Sequence, residues 1–129
     1  MNGGQIGATV AKVISLIIKS NPNFARYDLS QNKIGDLGIE SIANVFRQVR
    51  TLSIIELNVS TNSLSPSGLC TLFESLHRNQ SLIDLNISTS LREGKNRNRM
   101  NKESIQSLAE LLQVNKMIQY LDISGMSLA

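Results

Sequence analysis

With one cysteine, Cys70, and one histidine, His77, the chain is short of most of the side chains that bind metals or break covalent bonds. A single thiol closes no internal disulfide, and one His with one Cys falls below the ligand count of a zinc site. The two lie seven residues apart on one expected helix, so no base and nucleophile pair assembles from them. Cys70, between Leu69 and Leu72, reads as a partly buried small hydrophobe; His77, beside Arg78, reads as solvent-facing. The glycines of "NGGQIG", residues 2–7, resemble a phosphate loop, but no strand precedes them and no Lys-Ser or Lys-Thr follows at Walker spacing. No catalytic group, metal or cofactor is expected, and the chain does not read as an enzyme.

Long apolar runs are missing too. The most apolar N-terminal stretch, Val10 to Ile18, is broken by Lys12 and Ser15, and crossing a bilayer takes about 20 apolar residues. No membrane association is expected. Residues 1–7 carry no charged side chain, so the basic start of a secretory signal is lacking. Together with the single thiol, this points to a reducing compartment and a cytoplasmic location. What remains is ordinary globular material: 129 residues, one domain's worth, with 41% hydrophobic and 18% charged residues.

The chain repeats itself. Ending at Ser30 it reads "IKSNPNFARYDLS", at Ser88 "LHRNQSLIDLNIS" and at Ser124 "LQVNKMIQYLDIS", and the three align without a gap. Each has an apolar residue (Ile18, Leu76, Leu112) three before an asparagine (Asn21, Asn79, Asn115), then apolar residues at matching offsets. A fourth copy, "QVRTLSIIELNVS" ending at Ser60, has Thr51 in place of the asparagine. The serines are spaced by 30, 28 and 36 residues, the last stretched by an insertion, and a period of this size is that of a solenoid. Units are expected near 1–24, 25–53, 54–82 and 83–118, with a partial one at 119–129 and an insertion at 91–99.

Within a unit the periodicity changes. Leu85 and Ile87 alternate with Asp84 and Asn86, as in a half-buried strand, whereas Leu69, Leu72, Phe73 and Leu76 follow the spacing of a helix face. Pro66 suits a first helical turn and Ser65 its cap. The pattern predicts strands at 25–29, 54–59, 83–87 and 119–123, and helices at 8–20, 38–49, 66–78 and 103–114.

"DLSQNKIGDLGIESIANVF" and "LNVSTNSLSPSGLCTLFESLHRNQSLIDLNIS" resemble the leucine-rich repeat of the ribonuclease-inhibitor type: strand, asparagine, short apolar loop with a glycine, helix. The resemblance places the family's asparagine on Asn32 and Asn62, bonding the backbone of the turn, and its glycine on Gly38 and Gly68, where the loop becomes the helix. Ser90 stands for the asparagine of the third unit and Ser104 for its glycine. It implies an α/β, right-handed solenoid of about four repeats, with parallel strands on the concave face and helices on the convex face.

Outward strand positions are the candidates for partner binding on the concave face: Arg26, Asp28, Glu56, Asn58, Asp84, Asn86, Tyr120 and Asp122. This stripe is acidic and amide-rich, set for a basic or amide-rich protein segment. A second candidate is the basic loop Arg92, Lys95, Arg97, Arg99 and Lys102, which with Glu93 carries +4 in a chain of net +3. Without aromatics among its bases it lacks the stacking surface of a nucleic-acid platform, and an acidic protein surface is the expected partner if it docks at all. Looping out Leu91 to Asn98 is expected to leave the fold intact. Three N-x-S sequons, at Asn58, Asn79 and Asn86, read as chance.

The family resemblance also frames the function. It implies a non-catalytic protein-protein interaction module, a scaffold, regulatory subunit or part of a larger leucine-rich repeat protein. The alternative is a regulator of actin filament ends, as in tropomodulin, or of a small GTPase, as in the GTPase-activating proteins for Ran. With no polar cap over Leu121 and Ile123, the open solenoid ends are expected to be covered by further repeats or inside a large assembly.

Overall fold

A computed structural model describes residues 3–20, 25–31, 33–49, 53–89 and 97–128. Its elements are α1 (Gly3–Ser20), β1 (Arg26–Asp28), α2 (Gly35–Gln48), β2 (Glu56–Asn58), α3 (Pro66–Ser75), β3 (Asp84–Asn86), β4 (Arg99–Met100), α4 (Lys102–Val114), β5 (Tyr120–Asp122) and β6 (Ser127–Leu128). Strands β1, β2, β3 and β5 form one parallel sheet in that order, successive strands being joined through a helix. The fold is α/β, and the helices stack in the order α1, α2, α3, α4 beside the sheet.

Each strand of this four-stranded sheet is three residues long, shorter than the periodicity predicts, yet the hydrogen-bond ladder runs on past it. Leu29 N donates to Asn58 O, Val59 N to Asn86 O and Ile87 N to Asp122 O, at 2.8, 2.9 and 3.0 Å. The chain then leaves the sheet through left-handed backbone just after the aligned serines, with φ of 58° at Gln31, 51° at Thr61 and 70° at Gly125. Only at Gly125 is a side chain excluded outright, because a Cβ there would overlap the Thr89 carbonyl.

The core lies between sheet and helices, and its columns run from coil to coil. Tyr27, Leu57, Leu85 and Leu121 are in register across the sheet, with Leu57 and Leu85 sealed from solvent. On the helices Ile39, Ile42, Ala43 and Phe46 of α2 recur as Leu69, Leu72, Phe73 and Leu76 of α3, all buried. Where no further coil follows, the same columns come to the surface: Ile105 and Leu112 are exposed, and Ile123 is 44% exposed where Val59 and Ile87 are fully covered. At the other flank Val13, Leu16 and Ile17 of α1 are exposed. Beyond β5, Met126 packs against the core and β6 pairs with β4 in parallel, so the last coil continues into its loop rather than stopping at the strand.

The coils are held together by buried asparagines. The Asn62 amide nitrogen donates to Leu29 O at 2.8 Å and Ser60 O at 3.0 Å, and its Oδ1 accepts from Ile34 N at 3.3 Å. One coil on, the same work is done by Asn98. Its Nδ2 donates to Val59 O and Ile87 O, both at 3.0 Å, and its Oδ1 accepts from Asn62 N and Leu64 N, again at 3.0 Å. The insertion therefore sits between the end of the third strand and the asparagine, at 90–97 instead of 91–99, since Asn98 and Arg99 belong to the regular coil. Removing Leu91 to Asn98 would take a fully buried residue with it. Asn32, Ser90, Arg92 and Lys95 lie outside the described residues.

Helix starts explain the departure at Ser104. Ahead of α3, Asp36 reaches across from α2: its carboxylate accepts from Ser65 N at 2.9 Å and from the Ser65 hydroxyl. A Cβ on Gly68 would overlap that carboxylate, so a side chain there would displace Asp36 from Ser65. One coil later Pro66 stands where Asp36 stood, no carboxylate crosses over, and the buried Ser104 completes a capping box with Asn101 instead.

Two substitutions at neighbouring positions test the register. Leu85→Asp puts an unpaired charge between two coils and is expected to unfold the chain, while Asp84→Ala shifts stability by no more than about 0.5 kcal/mol. Chemical denaturation separates them; equal midpoints would show the register to be wrong. For the insertion, Asn98→Ala strands several buried backbone groups and is expected to cost about 3 kcal/mol. Deleting residues 90–97 joins Thr89 to Asn98 as Thr61 joins Asn62, and should cost only about 1 kcal/mol for the left-handed turn Thr89 must then adopt.

Candidate partner-binding face

Across the sheet the outward side chains form two rows. Arg26, Glu56, Asp84 and Tyr120 are mutual neighbours in the first, Asp28, Asn58, Asn86 and Asp122 in the second. The alternation of the strands brings all eight onto one face, because Tyr27, Leu57, Leu85 and Leu121 between them turn to the core.

The second row is occupied with its own backbone. Asp28 Oδ1 accepts from Ser30 N, Asn58 Oδ1 from Ser60 N, Asn86 Oδ1 from Ser88 N and Asp122 Oδ1 from Ser124 N, at 3.0, 3.0, 3.0 and 2.9 Å. Three of the serine hydroxyls donate as well, at 2.7 Å to Asp28, 2.6 Å to Asn86 and 2.7 Å to Asp122. Each strand thus ends in an Asx turn, and the recurring D/N-x-S spacing is the sequence of that turn. This also accounts for the sequons. Asn58 and Asn86 are turn residues, and Asn79 Oδ1 likewise accepts from Ser81 N at 3.1 Å and Leu82 N at 2.8 Å.

The first row is freer. Arg26 Nε pairs with Glu56 Oε2 at 3.2 Å in the open, a contact worth at most about 1 kcal/mol. The Asp84 carboxylate, half-buried beside it, makes no hydrogen bond or ion pair among the described residues, and Tyr120 at the edge is 64% exposed. A shallow depression of about 170 Å³ lies over this part of the sheet, lined by residues of β1, β2 and β3 that include Arg26, Glu56 and Asp84. Shape and charge suit a basic side chain of another protein. Burial pushes the Tyr27 hydroxyl above its ordinary pKa.

Three of the five residues of the basic segment are described. Arg97 is half-buried ahead of Asn98, Arg99 projects from β4, and Lys102 opens α4. Elsewhere, Cys70 is half-buried; burial, reinforced by Glu74 and Glu103, raises its pKa despite a bond with Ser107, which leaves an unreactive thiol. His77 is half-buried rather than solvent-facing, with Nε2 enclosed and lacking a hydrogen-bond partner. Among the described residues no group of His, Cys, Asp and Glu is placed to hold a metal ion, and no helix is long and apolar enough to cross a membrane.

Comparison with known proteins agrees with this architecture. Residues 20–43, spanning β1 and the first half of α2, match a family model described as Leucine Rich repeat. The chain carries a leucine-rich repeat. Among solved structures it is similar to "Leiomodin-1 Actin-Binding Site 2 (ABS2)", with a TM-score of 0.68 at 10% identity over 93% of this chain and 61% of the other. The chain thus spans about three-fifths of that structure, and at this identity the likeness is one of fold. No curated protein matches the sequence.

The aspartates of the second row yield a pH test. Hydrogen bonds from Ser30, the hydroxyl first, hold the Asp28 carboxyl below its ordinary pKa, and for Asp122 the Ser124 backbone N–H leads. A depressed carboxyl stabilises the fold above its unfolded pKa, about 3.9, and that contribution is lost as pH falls through the folded value. Carbon-detected NMR titration should find both below the reference. Ser30→Ala should return Asp28 further toward it than Ser124→Ala returns Asp122; equal responses would contradict the assignment.

Proposed function

We propose that this chain is a non-catalytic protein-interaction module whose strand face receives a basic segment of a partner protein. The observation that carries the reading is the first row: one exposed ion pair, an unpaired carboxylate on Asp84 and an exposed ring on Tyr120, side by side at strand spacing. The match to a leucine-rich repeat model supports it. With this reading go a ribonuclease-inhibitor type of repeat, a right-handed solenoid of four coils and the unit boundaries stated above. The apolar columns surfacing at Ile105, Leu112 and Ile123, and at Val13 and Ile17, support a scaffold or regulatory role in which the solenoid flanks are covered by further coils or by an assembly. The free thiol of Cys70 accords with the cytoplasm.

A second reading, regulation of actin filaments, is favoured by one observation: the fold is shared with a structure named as an actin-binding site of leiomodin-1. A pointed-end elongation assay addresses it. Slowed elongation at substoichiometric protein supports the actin reading, and unchanged elongation removes it.

For the main reading, titration of labelled protein with a short arginine-glycine peptide should shift the amides of residues 26, 56, 84 and 120 together. Asp84→Lys with Glu56→Lys should abolish the shifts, and raising salt from 50 to 300 mM, which shortens the Debye length several ångström, should weaken them. Shifts confined to other surfaces would contradict the assignment.

A further inference from the structure

A second asparagine ladder runs through the turns that follow the helices, and it breaks once. Asn115 Nδ2 donates to Leu76 O at 3.0 Å and Asn79 O at 2.9 Å, cinching the turn after α4 to the turn after α3. Asn79 holds the matching place one coil earlier, where the carbonyls of Phe46 and Val49 would be its counterparts. Its Nδ2 stays at home instead, donating to Ser81 Oγ at 3.3 Å, and among the described residues no bond from this amide crosses to the turn after α2. The connections also differ in length: from Phe46 to Ser60 is 14 residues, whereas Leu76 to Ser88 and Leu112 to Ser124 are 12 each. A half-open cavity of about 800 Å³ lies beside these two turns.

That volume is within the range of small-molecule sites. Its lining is amphiphilic: Phe46 and Val49 provide an apolar wall, and Arg47 and Arg78 bring guanidinium groups from two neighbouring coils. Glu74 is the one acid in the lining. Neither arginine is in an ion pair among the described residues; Arg47 Nη1 donates to the neutral Asn44 Oδ1 at 3.0 Å, and both side chains are exposed. Planar guanidinium forks with donors to spare recognise oxyanions, carboxylates above all, and the adjacent ring and branched side chain accept an apolar body. We propose that this cavity binds a small organic carboxylate, its charged end between Arg47 and Arg78 and its apolar end against Phe46 and Val49. The site lies below the helices, apart from the strand face, and does not depend on the function proposed for that face.

Three probes on the unmodified protein test it: phenylacetate, its neutral counterpart phenylacetamide, and inorganic phosphate. In amide-detected NMR titrations phenylacetate should shift residues 46–49 and 75–80 saturably in the millimolar range, with phenylacetamide and phosphate each at least about tenfold weaker. Combining Arg47→Ala with Arg78→Ala should weaken phenylacetate by at least about tenfold at unchanged melting temperature, since both side chains are exposed. No saturable shift up to about 50 mM would overturn the proposal. So would equal binding of phenylacetamide, which removes the role of charge, or of phosphate, which removes the role of the apolar wall.

Discussion

A strand of three residues buries little and pairs weakly, so a sheet built of such strands depends on what closes the chain at their ends. Here that is the buried carboxamide. Where the chain turns out of the sheet its carbonyls face the interior, and a buried carbonyl without a donor costs about 1 to 3 kcal/mol. Asn62 and Asn98 meet those carbonyls with one end of the amide and the N–H groups of the neighbouring coil with the other. No apolar side chain does both, and no charged one does so without a desolvation penalty. The ladder stacks the coils in one register, and that register sets out the two rows of the strand face.

The two rows divide the labour. Asx turns bind Asp28, Asn58, Asn86 and Asp122 into the scaffold, which leaves Glu56, Asp84 and Tyr120 to face outward. An acidic stripe on a chain of net +3 is a local feature, and it arises because the bases are placed elsewhere, on β4, α4 and the helix turns. Between α2 and α3, where Asn79 bonds within its own turn, a cavity lies open and two arginines stand in its lining.

Much of this was legible in the sequence. The change from alternation at 83–87 to helical spacing at 69–76 located strands and helices, and the aligned serines located the register. Less legible was Asn98, because counting outward from the third strand reaches Ser90 first. The signal was there in the spacing of Asn98 to Met100, the same as Asn62 to Leu64, and an insertion is invisible to any count that does not allow for it. The Asx turns are written in the aligned D/N-x-S spacing, in which an outward residue also closes the turn on the serine two positions on. Helix α1 begins at Gly3, well ahead of the predicted residue 8, since glycine lowers helix propensity without forbidding a helix. The pair of β4 with β6 could not be anticipated at all, because two residues carry no periodicity.

Native-state hydrogen exchange at the amides of Asn62 and Leu64 tests the ladder most directly. Both donate to the Asn98 side chain rather than to backbone, so in an ordinary loop they would exchange by local fluctuation. If the carboxamide holds the coils together, these two amides should open only with the sheet, at the same free energy as Val59 and Ile87. Exchange at a markedly lower free energy than those strand amides would show that the asparagine decorates the turn without holding it.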